Sequence, residues 1–237
     1  MIFTSSWDDG YVLDLRIADL LDRYGLKGTF YVCPHKQHAA EMLSATQIKN
    51  LSTRHRIGAH TITHPRLTEI PSDAASREIR ASKEWIEEIT GMACVTFCYP
   101  YGATNESVRD IVKNAGFSDA RTTQDLRFAS SDPLLQPVSL QIIPFPLRIS
   151  TRPLWKVLDP LAPLRSRYRR LRTMGVPHAA MTSWLSLATY LYDYALTKQQ
   201  PFFHLYGHSR EVEKYRMWGD LELFLRHVAE RHITTTA

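Results

Sequence analysis

Four short stretches carry side chains able to do acid, base or metal chemistry: Asp8-Asp9-Gly10, His60-Thr61-Ile62-Thr63-His64, Tyr99-Pro100-Tyr101-Gly102 and Gly207-His208. Adjacent residues on extended backbone point in opposite directions, so Asp8 and Asp9 suit different tasks, one holding a metal and the other facing a substrate. Alone, Asp-Asp-Gly is equally an ordinary solvated turn. The His60/His64 spacing could place two metal ligands one helical turn apart. Its intervening residues are β-branched, however, and Pro65 disfavours helix at His64, so the pair is expected to leave a strand and curl through a loop. The same spacing recurs at His204 and His208 and is weak evidence by itself. One carboxylate and two imidazoles form a common three-ligand set for zinc that leaves a position for water and substrate, as amide hydrolysis requires.

These groups need a scaffold that gathers them. Ile2 and Phe3 open a short buried strand that Gly10 ends. Leu13, Ile17, Leu20, Leu21 and Tyr24 then recur at helical spacing up to Gly25. Further strands are predicted at 28–33, 56–61, 95–99, 118–122, 138–143 and 202–207, with helices at 46–53, 72–90, 105–114 and 181–198 and a last one carrying Leu221, Phe224, Leu225 and Val228. Such alternation points to an α/β fold, a parallel sheet with crossover helices curled into a distorted (β/α) barrel of about seven mostly parallel strands. Each chemical stretch falls just after a predicted strand, where barrels place their active sites. Residues 144–177, rich in Pro and Arg, are read as an irregular basic excursion from a single domain spanning 1–237.

The 237 residues, 44% of them hydrophobic, are ample for one large core, and nothing suggests disorder. No export signal or apolar run of membrane-spanning length is visible, so a cytoplasmic location, peripheral to the membrane at most, is expected. Cys33, Cys94 and Cys98 are too few and too poorly spaced for a disulfide framework and are read as reduced core thiols. The net charge of +5 is local: 148–172 holds eight basic residues against Asp159 alone, and the remainder is slightly acidic. Interleaved with Trp155, Val157, Leu158, Leu161, Leu164, Tyr168 and Leu171, those cations could meet an anionic membrane surface or a lipid-linked substrate; equally, they could form a solvated helix covering the barrel. Nucleic acid is not an expected partner, because no recognised binding motif accompanies the charge.

In their order, Ser6-Trp7-Asp8-Asp9-Gly10, His60 to His64, Tyr99-Pro100-Tyr101-Gly102 and Leu205-Tyr206-Gly207-His208 resemble the motifs of the polysaccharide deacetylase (NodB homology) superfamily, carbohydrate esterase family four. The resemblance runs from about Met1 to His208. It implies a divalent metal, usually zinc with cobalt or another ion as alternatives, bound by Asp9, His60 and His64. It further implies Asp8 as general base, the backbone N–H of Tyr101 as an oxyanion donor and His208 as the proton donor to the leaving amine. The substrate so implied is an acylated amino sugar.

Two positions depart from that pattern. The arginine usually found two residues before the proline of the third motif is Cys98 here, which removes the partner that orients the base. Arg121, on the next predicted strand, could reach the same space; its ordinary alternative is a surface salt bridge. Trp7 replaces a phenylalanine and is expected to alter wall shape. Asp119 matches a further motif only loosely, His204 is read as a buried structural histidine, and Glu211 or Glu213 could orient His208. Within the same chemistry, a deformylase of a lipid-linked formamido sugar stays open. A barrel that kept carbohydrate binding and lost catalysis is the competing class, suggested by Cys98.

Overall fold

The computed structural model describes residues 1–34, 42–148 and 160–235. Its strands are β1 (Ile2–Asp9), β2 (Thr29–Val32), β3 (Arg56–Ala59), β4 (Thr96–Cys98), β5 (Asp119–Arg121), β6 (Leu140–Gln141) and β7 (Phe202–Gly207). All pair in parallel, in the order β5-β4-β3-β2-β1-β7-β6. Each lies inside its predicted range. The helices are α1 (Asp14–Arg23), α2 (Ala45–Ser52), α3 (Ser72–Thr90), α4 (Glu106–Asn114), α5 (Ala162–Thr173), α6 (Trp184–Thr197), α7 (Ser209–Lys214) and α8 (Trp218–Thr235). Between the sheet's two edges runs the segment 136–142. Gln136 exchanges backbone hydrogen bonds with β5, at 2.8 Å to Ala120 and 2.8 Å to Thr122, and Ser139 and Ile142 donate to β7 at 2.9 and 2.8 Å. The sheet is thereby curled into a distorted α/β barrel.

Local sequence explains the element ends. Ser44 and Gln47 form a capping box on α2, Asn105 accepts from Val108 N–H to start α4, and Gly91 ends α3 in the left-handed region at φ 70°. The inter-strand register then sorts side chains by the two-residue period of a strand. Trp7, Phe30, Ile57, Ala59, Phe97, Ala120, Phe203 and Leu205 share the outer face, buried among the helices. Each large apolar side chain there stabilises the fold by about 1.5–3 kcal/mol. Trp7 is fully buried in this layer, so it shapes the core and not the wall of the site, contrary to expectation.

The inner face is polar. Thr4, Ser6 and Asp8 of β1 lie beside Thr29 and Tyr31 of β2, and His204 and Tyr206 of β7; Thr96 and Cys98 lie beside Asp119 and Arg121. Burying so many polar groups is tolerable only because they bond to one another. Tyr31 and Thr96 hydroxyls are 3.0 Å apart, Thr96 donates to Asp119, and Arg56 donates to Asp119 at 2.8 Å. Gly58 also faces inward. A Cβ there would sit 2.5 Å from two Tyr31 ring carbons, so only glycine leaves the phenol its place.

The expectation for 144–177 needs correction, because α5 lies within it. Leu161, Leu164, Tyr168 and Leu171 already had helical spacing, and a proline in the first turn is compatible with a helix start. Leu171 is buried; Arg167 pairs with Asp125, Arg170 donates to the Leu126 carbonyl at 2.8 Å and Arg172 to that of Val176 at 2.9 Å. These contacts fit the covering-helix alternative and lend no support to a membrane role. Arg152, Trp155, Lys156, Val157 and Leu158 lie outside the described residues. Among those described, no helix is long and apolar enough to cross a membrane, and all three cysteines are buried.

Candidate active site

Asp8 and Asp9 leave β1 at the barrel's carboxyl mouth. Strand alternation would turn Asp9 outward with Trp7, but its φ of 85° breaks the pleat and brings its carboxylate over the mouth. Asp9 Oδ1 lies 3.7 Å from His60 Nε2 and 3.6 Å from His64 Nε2, and those two nitrogens are 3.1 Å apart. Donors about 2.0–2.1 Å from a shared tetrahedral zinc would be separated by about 3.3 Å, so the three fit one ion.

The tautomer fits as well. His60 Nδ1 lies 2.7 Å from the Cys98 carbonyl, which can only accept; the proton is therefore on Nδ1 and the Nε2 lone pair faces its neighbours. Burial lowers the His60 pKa despite Asp8 and Asp9 nearby, keeping the imidazole neutral, as a ligand must be.

The loop between the histidines is loop, as Pro65 implied. Thr61 and His64 sit in the left-handed region, at φ 64° and 59°, each costing about 1–3 kcal/mol. Glu78 of α3 offsets that strain by accepting from Ile62 N–H at 2.8 Å, Thr63 N–H at 2.9 Å and the Thr63 hydroxyl at 2.7 Å. Thr61 Oγ1 also accepts from His64 N–H at 3.0 Å. Glu78 escaped sequence reading, since nothing in an amphipathic helix marks one exposed-looking acid as a loop clamp.

Asp8 points into the lumen, where Arg121 reaches it. Arg121 donates to the Asp8 carboxylate, lies 2.8 Å from Cys98 Sγ, and is 2% exposed. Its guanidinium stacks between Tyr206 and Tyr31, at 4.3 and 5.4 Å from the ring centres. The surface alternative for Arg121 is thus removed. Cys98 and Arg121 are register partners on β4 and β5, which is why a cation missing at one can be supplied from the other. Burial would raise the Asp8 pKa, but Arg121, helped by His60 and His208, holds it well below the usual carboxylate range. Burial pushes the Cys98 thiol well up, so it stays a neutral donor, 3.5 Å from Asp8. Asp8, His60 and Cys98 are also close enough to suggest a second metal set, yet Arg121 already supplies the cation there.

His208 completes the mouth, with Nε2 3.7 Å from Asp9 Oδ2 and Nδ1 3.2 Å from Glu211, the orienting partner foreseen. Burial alone would lower its pKa; the Glu211 hydrogen bond and the Asp9 and Asp8 charges outweigh burial and raise it above 6.5. Its neighbour Ser209 donates at 2.5 Å to buried Asp14, tying α7 to α1. Tyr101 lies in a short 3-10 turn at φ 60°, with its ring 57% exposed and edge-on to His64 at 4.7 Å. His204 is not part of the mouth. It sits lower in the lumen between the hydroxyls of Thr4 at 2.7 Å and Ser6 at 2.8 Å, as a structural histidine would.

The sequence profile described as "Polysaccharide deacetylase" matches residues 2–120, half of the chain. A chitooligosaccharide deacetylase of Rhizobium leguminosarum bv. trifolii is 29% identical over 113 residues, covering 47% of this chain and 51% of the relative. The peptidoglycan-N-acetylmuramic acid deacetylase PdaC of Bacillus subtilis is 29% identical over 98 residues, covering 41% of this chain and 20% of the relative. The chain therefore spans from a fifth to about half the length of these curated relatives. Among solved structures, the Streptococcus pyogenes deacetylase PplD in complex with acetate superposes with a TM-score of 0.53 at 20% identity, over 56% of this chain and 61% of that one. A mutant of a CE4 family pseudoenzyme with restored enzymatic activity gives 0.57 at 14% identity over 98% of this chain and 63% of that one, a likeness of fold. Because the matched half carries β1 through β4 with the paired aspartates and both loop histidines in their family order, this chain belongs to the polysaccharide deacetylase family.

Proposed function

We propose that this chain is a metal-dependent hydrolase, with zinc as the preferred ion, that removes an N-acetyl or other N-acyl group from an amino-sugar unit of a glycan or glycan precursor. The observation that carries the reading is the convergence of Asp9, His60 and His64 donor atoms within 4.8 Å of one another. A divalent ion held there would supply Lewis-acid polarisation of the acyl carbonyl and acidify a water.

The chain's own groups would do the rest. Asp8, kept ionised by Arg121, takes the proton of the attacking water and is held in place for it by the guanidinium. The Tyr101 backbone N–H, turned by its left-handed φ, is the proposed donor to the oxygen that gains charge at the acyl carbon. His208, whose pKa is raised because the Glu211 hydrogen bond and the Asp9 and Asp8 charges outweigh burial, gives a proton to the departing amine. The family relatives that act on chitooligosaccharides and peptidoglycan support an acetylated hexosamine as the substrate unit.

The test is acetate release from acetylated chitooligosaccharides together with metal content. Purified protein should bind about one zinc per chain, lose acetate release on chelation and regain it with zinc or cobalt. Asp9→Asn should lose both metal and activity. Sub-stoichiometric metal after zinc supplementation, with no acetate released, would instead support a barrel that only binds carbohydrate.

A further inference from the structure

Asp14 is a buried carboxyl that the proposed reaction leaves unused. It opens α1 just after the Asp9 turn, and Ser209 opens α7 just after His208; both are 0% exposed. The Ser209 hydroxyl donates to Asp14 Oδ1 at 2.5 Å, whereas Oδ2, also buried, has no hydrogen-bond partner among the described residues. Burial pushes the Asp14 carboxyl well above the usual carboxylate range, against the opposing pull of the Ser209 hydrogen bond. Stability alone does not call for such a pair. Two apolar side chains of the same shape would fill the space at little or no loss, and an acid with one oxygen unanswered is costly to bury. What the pair supplies is direction. Val212, fully buried, holds α7 on the barrel, but apolar burial is non-directional, while a hydrogen bond restrains both distance and angle. His208 begins α7, and its Nδ1 meets Glu211 of the same helix at 3.2 Å. The imidazole that turns Nε2 toward Asp9 therefore moves as α7 moves.

We infer that Asp14, acting through Ser209, is a positioning residue that sets the His208 imidazole against the departing amine. The inference rests on the deacetylase reading and adds to it a latch between the loop that carries Asp9 and the helix that carries His208. Asp14 meets no reacting group itself. Its effect should therefore fall on the step that needs His208 and spare the steps that do not.

The experiment compares two substrates of zinc-loaded protein, tri-N-acetylchitotriose and 4-nitrophenyl acetate. An amine must be protonated as it leaves, whereas nitrophenolate departs without a proton, so only the first reaction needs the acid. In Ser209→Ala, which removes a single oxygen, and in Asp14→Ala, kcat on the trimer should fall by about ten- to hundredfold. KM should change by less than about twofold, ester hydrolysis should persist, and bound zinc should stay at about one per chain. Asp14→Asn, which keeps an acceptor for Ser209, should recover most of kcat. Since both residues act through one bond, the double alanine variant should be no worse than the poorer single one. The His208 ring signals in NMR spectra should shift in Ser209→Ala while those of His204 stay. Equal losses on both substrates, loss of zinc, or unmoved His208 signals would overturn the inference. Shifted His208 signals in a protein whose wild type releases no acetate would sustain the latch and contradict the deacetylase reading; acetate release with unmoved signals would do the reverse.

Discussion

At the carboxyl mouth of the barrel, Asp9 and the Nε2 atoms of His60 and His64 lie 3.1–3.7 Å from one another, with His208 Nε2 also 3.7 Å from Asp9. At the opposite mouth, around a cavity of about 320 Å3, stand another histidine and another aspartate, His204 and Asp119. There both ring nitrogens of His204 meet hydroxyls, and Asp119 is matched by Arg56 and Thr96. The residue types are the same and the surroundings differ. Hydroxyl and guanidinium partners make the lower groups structural. The upper groups face one another at separations that suit a shared cation, and the backbones of Asp9 and His64 are held in costly left-handed conformations to do so. What a histidine or aspartate does in this lumen is thus decided by what its neighbours ask of it.

Three substitutions would break or sharpen that contrast. The largest effect belongs to Asp8→Asn, which removes the proposed base while leaving Asp9, His60 and His64 in place. Acetate release should fall by about 10²–10⁴-fold with metal content unchanged, and a variant within threefold of wild type would move the base elsewhere. Next is Arg121→Met, which strands a buried carboxylate at a cost of about 3–5 kcal/mol. The Asp8 pKa should rise, shifting the acid limb of kcat/KM to higher pH, and Cys98→Arg added to it should recover much of both. Denaturant unfolding and pH–rate profiles would show this, and an unshifted limb would refute the pairing.

His204→Gln has the smallest effect, about 1 kcal/mol for each altered hydrogen bond, and should spare catalysis. Burial takes the His204 pKa down to about 3 from 6.5. Between those values the unfolded chain binds the extra proton, so the stability tied to neutral His204 is full above 6.5 and is lost as pH falls toward 3. Melting temperatures measured from pH 7.5 to 4.5 should therefore fall less steeply in the variant, whereas parallel curves would leave His204 without this role.

Much of this arrangement was legible in the residues. Strand runs punctuated by Gly and Pro located all seven strands, and strand ends located Asp8, Asp9, His60, His64, Tyr101 and His208. Arg121 could be nominated because a lumen position on one strand is physically beside its register partner on the next. The rest depends on backbone torsion and on contacts distant in sequence. No pattern announces that Asp9 leaves the pleat at φ 85°, or that Glu78 holds the loop between the histidines. The arginines of α5 obscured a helical apolar repeat, because a helix so charged looks built for an external partner until Asp125 and two carbonyls are found to receive it.

Gly58 shows how far the influence of an absent side chain can extend. Its bare Cα on β3 admits the Tyr31 ring from β2, the ring flanks the guanidinium sent from β5, and that guanidinium keeps a carboxylate on β1 ionised. A single methyl group added at position 58 should therefore be felt as weakened acid–base chemistry two strands away, without touching any group that meets the substrate.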